Sequence, residues 1–214
     1  MLQLDQYRSL FLKKKYDPSY NKKRKYKNNK NKLSNDFDKL FFNFLIIISY
    51  KTPLNYNKVT ERNIKFEFSH SLDNNQSFKI KNKEKELVIN NLCYEENITL
   101  HTLFTLCKYF NMNMIFYNNG LYYYSINNTE TEKVHVINHK KDIYISKQEN
   151  IEHIIENNYE LSDLMKPIYS SSKYTLKELN ELIENMKIQL NDKKYKKQEL
   201  YDILKTNIEK TINL

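Results

Sequence analysis

Glycine is almost missing from this 214-residue sequence, which has one, Gly120. Phosphate-cradling loops such as the P-loop and the dinucleotide-binding turn need several glycines so that backbone N–H groups can approach phosphate, and nucleotide chemistry of those kinds is excluded. Alanine and tryptophan are absent, proline occurs three times and cysteine twice. Cys93 and Cys107 lie fourteen positions apart, with His101 between them and no Cys-x-x-Cys pair. A disulfide scaffold and a zinc ribbon are therefore unsupported, and the pair reads as two reduced thiols of an intracellular protein, Cys107 on an apolar helix face. Long apolar runs are lacking too. The greasiest stretch, residues 40–48, is nine residues long with Asn43 inside it, against the roughly 20 that span a bilayer. No secretory signal opens the chain, where Asp5 and Arg8 interrupt isolated apolar residues. The expectation is a soluble, intracellular protein without a membrane partner.

What the sequence does have is 32 Lys, 30 Asn and 18 Tyr beside only three Arg. These residues have A/T-rich codons, so much of their abundance reflects coding bias rather than task. The formal charge is +9, and residues 13–32 hold ten Lys/Arg against the single acid Asp17, which leaves 25 charges of each sign elsewhere. All of the excess therefore sits in one short block. Clustered like charge with few apolar residues cannot offset the entropy of ordering, so residues 1–33 are expected to form a disordered basic arm. Three readings of the arm stand side by side. It can contact nucleic acid through counterion release; Lys22, Lys23, Arg24 and Lys25 resemble a nuclear import signal; or it is a solvated tail.

Beyond the arm, Phe37, Leu40, Phe41, Phe44, Leu45 and Ile48 make a helical stripe with Ser34 or Asn35 as its expected cap. Residues 64–68 and 78–80 alternate like strands, and 87–89 makes a plausible third. Leu100, Leu103, Phe104, Cys107 and Phe110 form another helical face. The strongest local signal follows: two aromatic-rich runs flank Asn119-Gly120, the preferred pair for a type I′ hairpin turn, in a register that sets Tyr117 against Tyr122 and Phe116 against Tyr123. Residues 134–137 and 143–145 add two strands, and Ser146 with Glu149 opens a further helix in a capping-box pattern. The fold class is α+β, a helix packed on a small antiparallel sheet. The expected organisation is an arm at 1–33, a central domain at 34–166, a Ser-rich linker at 167–173 and a helical module at 174–214.

In that last module, Thr175 and Glu178 form a second capping-box pattern ahead of Leu176, Leu179, Leu182, Ile183 and Met186, and after a polar stretch Leu200, Tyr201, Ile203, Leu204 and Ile208 mark a second helix. Four lysines, Lys193, Lys194, Lys196 and Lys197, precede it. The run Thr175-Leu-Lys-Glu-Leu179, followed by Lys196-Lys-Gln-Glu-Leu-Tyr-Asp-Ile-Leu204, resembles the SAP family of helix–extended loop–helix DNA-binding motifs. That resemblance covers about thirty residues and implies that the loop and the start of the second helix approach DNA, with those four lysines as contacts. A helix N-terminus with added lysines attracts phosphate on physical grounds as well. The family usually carries a small residue or glycine where this chain has residues 189–192, and Glu178, Glu181 and Glu184 would repel DNA if they faced it. In composition and arrangement the whole chain also resembles proteins of the giant-virus group of large DNA viruses, which implies an origin, with the host nucleus, viral factory or virion as location.

No catalytic, cofactor or metal site is assigned. His135 and His139 sit in a strand-like run, where a four-residue offset separates them by about 13 Å, too far for one metal. The hairpin tyrosines Tyr117, Tyr122, Tyr123 and Tyr124 read as sheet packing before they read as a base-stacking face. The expectation is a non-enzymatic nucleic-acid-binding accessory protein, DNA first and RNA second. Its rival is a structural scaffold whose C-terminal helices dock on a protein partner.

Overall fold

A computed structural model describes residues 37–51, 56–129, 131, 133–138, 141–146, 148–192 and 194–212. The arm, the cap candidates Ser34 and Asn35, His139 and Lys193 lie outside the described residues. The helices are α1 (Lys39–Ile47), α2 (Lys58–Asn74), α3 (Asn82–Tyr94), α4 (Leu100–Tyr109), α5 (Gln148–Asn157), α6 (Leu176–Asn185) and α7 (Lys197–Ile212), and the strands are β1 (Met114–Asn118), β2 (Leu121–Ser125), β3 (Val134–Ile137), β4 (Ile143–Ser146) and β5 (Tyr159–Glu160). The fold is α+β.

Helix α1 forms where expected and buries Leu40, Phe41, Phe44 and Leu45, but its cap is Asp38, whose side chain accepts from the N–H groups of Leu40 and Phe41. Corrections follow in the next segment. Residues 64–68 lie in α2 and 87–89 in α3, and 78–80 is a connection between them; none is a strand. The reason is visible in what α2 buries: Glu61, Ile64, Lys65, Phe68, Ser69 and Leu72. Their spacing is a complete helical stripe, yet three of its six positions are charged or polar, and the exposed Phe66 on another side of the helix completes an Ile64, Phe66, Phe68 alternation. In α3 the buried face is Val88, Asn91 and Leu92. The two helices run antiparallel, with Lys85 joined to Asp73 at one end and Lys58 to Glu96 at the other. Asn91 ends the pair by accepting from Thr99 N–H and the Thr102 hydroxyl, which starts α4.

The hairpin has the expected register, Tyr117 opposite Tyr122 and Phe116 opposite Tyr123, with Asn119 at φ 46° and Gly120 at φ 75°. The sheet order is β4-β3-β1-β2-β5. It is mixed rather than wholly antiparallel: β1–β2 and β3–β4 are antiparallel, while β1–β3 and β2–β5 are parallel. Asn113 supplies the cause. Buried just before β1, it accepts from the backbone of Asn127 and Asn128 and donates to the carbonyls of Asn128 and Thr131. The hairpin already ends β2 at the start of β1, with Ser125 opposite Met114; Asn113 holds the following loop at that end, so β3 sets out beside β1 in the same direction.

One face of the sheet, carrying Met114, Phe116, Leu121 and Ile137, packs into the main core with α1 to α4. The other carries Ile115, Tyr122, Val134 and Val136 beneath Ile154 of α5. The capping box at Thr175 and Glu178 forms, with the Thr175 N–H donating to Glu178 Oε2 at 2.6 Å and the Glu178 N–H to Thr175 Oγ1 at 3.2 Å. Helices α6 and α7 bury Leu179, Leu182, Ile183, Leu200, Leu204 and Ile208 in the same cluster as α1 to α4. The hydrophobic core therefore runs on past residues 167–173, and the C-terminal pair is docked on the rest of the chain. At the junction Gly120 abuts the end of α6, where an added Cβ would lie 2.5 Å from the Asn185 carbonyl oxygen.

Candidate nucleic-acid interface

Helix α6 is followed by a turn at Met186 and Lys187 and by irregular backbone over residues 188–192 and 194–196, and then by α7. Apolar residues on one side of each helix hold the pair to the core, and Met186, Ile188, Leu190 and Tyr195 of the connection pack there too, which leaves its polar residues on the outside. Lys194 and Lys196 are exposed, and Lys197 is half-buried at the first position of α7. Of the other expected contacts, Lys193 and the arm residues Lys22, Lys23, Arg24 and Lys25 are outside the described residues.

The acids of α6 are not all turned away from these lysines. Hydrogen bonds from Thr175, and then the charge of Lys197, hold the Glu178 carboxyl below its ordinary range, so the two side chains share one neighbourhood. Glu181 sits 3.7 Å from Lys177 on the same helix. At the start of α7 the Lys196 N–H donates to Glu199 Oε2 at 2.7 Å, which places a carboxylate at the positive end of the helix, where a phosphate would otherwise be favoured. Electrostatic attraction here thus comes from the lysines more than from the helix end.

Beside the connection lies a cleft of about 860 Å³, walled by the hairpin turn at Asn119 and Gly120, the end of α5, residues 185–191 and α7. A smaller one of about 340 Å³ contains Lys194 and Leu176. Leu190, Asn191 and Tyr195 line both. Among the described residues that line the larger cleft, Lys187 is the one cation and the rest are mainly carboxamides and apolar side chains. Sequence reading missed this site because its carboxamides come from four separate segments of a chain in which asparagine is everywhere.

The most strongly charged buried group is elsewhere. Lys65 Nζ lies 3.2 Å from Asp38 Oδ2 and 3.1 Å from Glu61 Oε1, with all three side chains at most 5% exposed. It also donates to the Glu96 carbonyl at 2.7 Å and sits 5.3 Å from the centre of the Phe41 ring. Asp38 Oδ2 accepts from Ile98 N–H, and Glu61 Oε2 accepts from Asp38 N–H and the Tyr56 hydroxyl. Burial and then the Glu61 charge push the Tyr56 phenol up. Every oxygen of the two carboxylates has a partner, and neither cleft includes these residues. The arrangement ties α1, α2 and the turn before α4 together, a structural role.

His135 lies on β3, where its backbone N–H donates to the Asn113 carbonyl at 3.0 Å and its ring approaches the same oxygen at 3.3 Å. Burial holds its pKa below the ordinary value. Among the described residues no three His, Cys, Asp or Glu side chains gather as a metal site, and no helix is long and apolar enough to cross a membrane. Of the hairpin tyrosines, Tyr123 faces the core in an edge contact with Phe104, while Tyr117, Tyr122 and Tyr124 are on the α5 side with Tyr144. Comparison with family models, with curated proteins and with solved structures gave no match. The chemistry of the site itself carries the functional reading.

Proposed function

We propose that this chain is a non-enzymatic nucleic-acid-binding accessory protein, with DNA as its first partner, and that it works in the replication, transcription or packaging machinery of a large DNA virus. The observation that carries the reading is the lysine cluster between α6 and α7, with Lys194 and Lys196 exposed and Lys197 half-buried at the helix entry. The basic block at residues 13–32 adds sequence-independent attraction. Support against the scaffold alternative comes from the apolar stripes of α6 and α7, already covered by this chain's own core. A partner protein would meet a largely polar surface there.

The test is fluorescence anisotropy with duplex and single-stranded oligonucleotides against salt, for the full-length protein, for a truncation of residues 1–33, and for a variant with Lys193, Lys194, Lys196 and Lys197 all changed to Ala. Each neutralised phosphate contributes about −0.9 to the log–log salt slope on duplex DNA, so the four-lysine variant flattens the slope by up to about 3.6. Absence of binding by the full-length protein at about 50 mM salt refutes the reading. If the truncation alone abolishes affinity, the C-terminal lysines have no part in it.

A further inference from the structure

The two clefts flanking Tyr195 differ in kind from a phosphate-binding surface. In the larger one, Asn158 donates to the Ile154 carbonyl at 2.7 Å and Asn207 to the Ile203 carbonyl at 2.8 Å. Those bonds hold the two carboxamides by one N–H each against the carbonyls of α5 and α7, and a carboxamide has an oxygen that accepts as well as N–H groups that donate. The Asn191 N–H donates to the Tyr195 hydroxyl at 3.1 Å, which pins the ring where the two clefts meet. Lys187 lines the larger cleft and Lys194 the smaller. The result is a concave site of about 860 Å³ with polar amide walls, one aromatic wall and cations at its border.

A duplex presents phosphates outward and keeps its bases stacked, so it can use the lysines but cannot enter such a cleft. An unstacked base can: its edge both donates and accepts, as carboxamides do, and its face stacks on an aromatic ring. We propose that this cleft takes an unstacked base of a single-stranded nucleic acid, with the base edge on Asn158, Asn191 and Asn207, its face on Tyr195, and the neighbouring phosphates on Lys187 and Lys194. The inference rests on the nucleic-acid reading above and deepens it, since it assigns the strand state that the site selects. A strand of DNA and one of RNA offer the same base and phosphate chemistry, and the sugar is left to the test.

The experiment uses full-length protein and labelled oligo(dA), oligo(dT), oligo(rA) and a duplex of equal length, read by anisotropy, with Tyr195→Leu, Tyr195→Phe and Asn207→Leu as variants and a thermal melt of each to confirm folding. Single strands are expected to bind at least about tenfold tighter than duplex. Tyr195→Leu then weakens single-strand binding about five- to a hundredfold, the range one base–aromatic stack supplies, and leaves duplex binding unchanged; Tyr195→Phe, which keeps the ring, stays close to the parent. Should Tyr195→Leu fail to fold, Asn207→Leu and amide NMR shifts at Gly120, Lys187 and Asn191 on adding a mononucleotide give the answer instead. Equal affinity for single strand and duplex, with the cleft variants binding like the parent, overturns base capture and leaves the nucleic-acid reading standing. No binding to any oligonucleotide removes both. The tighter of oligo(dA) and oligo(rA) identifies the sugar.

Discussion

Replacing Lys65 by Met tests whether the buried ion cluster holds the helical layer together. Methionine retains roughly the length of the lysine stem and removes the ammonium, together with its position over the Phe41 ring. That group faces Asp38 at 3.2 Å and Glu61 at 3.1 Å. Without it two carboxylates remain inside the core with no countercharge, and the Glu96 carbonyl loses a 2.7 Å donor. Breaking a buried pair in this way costs about 3–5 kcal/mol, a large part of the roughly 5–15 kcal/mol that stabilises a typical domain. With a urea m-value of about 2 kcal/mol/M, the unfolding midpoint falls by about 2 M. A control separates this from a general surface effect. Glu96 contributes its backbone oxygen to Lys65, and its side chain pairs with Lys58 at an exposed site, so Glu96→Ala costs no more than about 0.5 kcal/mol. Urea titration followed by circular dichroism at pH 7 measures both. A loss below about 1 kcal/mol for Lys65→Met at unchanged m, or equal losses for the two variants, refutes the reasoning.

Gly120→Ala forces a Cβ to 2.5 Å from the Asn185 carbonyl oxygen and is expected to cost about 2 kcal/mol or more, read as a lowered melting temperature. Burial holds the imidazole of His101 below its ordinary value against the upward pull of Glu84 and Asp163. Its unfolded state therefore binds the proton first, and the stability it contributes is complete above about pH 6.5 and declines as pH falls toward the folded value. Because its Nε2 is buried without a hydrogen-bond partner among the described residues, His101→Leu should leave stability at pH 7 unchanged or higher and flatten the loss between pH 7 and 5; an unaltered slope counts against this. Cys107 is fully buried, with its thiol pushed up by burial, whereas Cys93 is partly exposed. A thiol reagent applied to folded protein should thus modify Cys93 alone, and two fast equivalents would show that α4 is not packed as described.

What could be read from the sequence was whatever a few neighbouring residues decide. The Phe and Leu stripe of α1, the Asn119-Gly120 turn and the Thr175–Glu178 capping box are local patterns, and each forms. Helices α2 and α3 were not legible because their inward faces include Glu61, Lys65, Ser69 and Asn91, side chains that a hydrophobic pattern assigns to solvent. Only the partners Asp38, Tyr56 and the residues at 96–102, remote in sequence, make them fit inside. The parallel β1–β3 pairing was hidden for a similar reason, since one carboxamide at position 113 gathers a loop up to eighteen residues further on. In the candidate interface the lysines were legible as a cluster. The cleft was not, because it exists only where the hairpin turn meets the end of α6.

That meeting point gives a reason for the chain's one glycine. Among the described residues, Ser49, Asn111, Asn119, Lys141 and Lys187 also adopt positive φ, between 46° and 61°, so this sequence makes left-handed turns with the serines, asparagines and lysines it has in plenty. Backbone torsion alone would let asparagine serve at position 120 as it does at 119. The distinguishing demand is spatial, because any side chain there meets the backbone of Asn185 and Met186. Glycine at this position acts as a spacer of zero thickness. It sets how far the hairpin can advance toward α6, and with it the width of the opening beside Tyr195. A series of ever larger residues at position 120 should prise that opening wider by steps, so a binding property measured at the lysines could be tuned from a residue that never touches them.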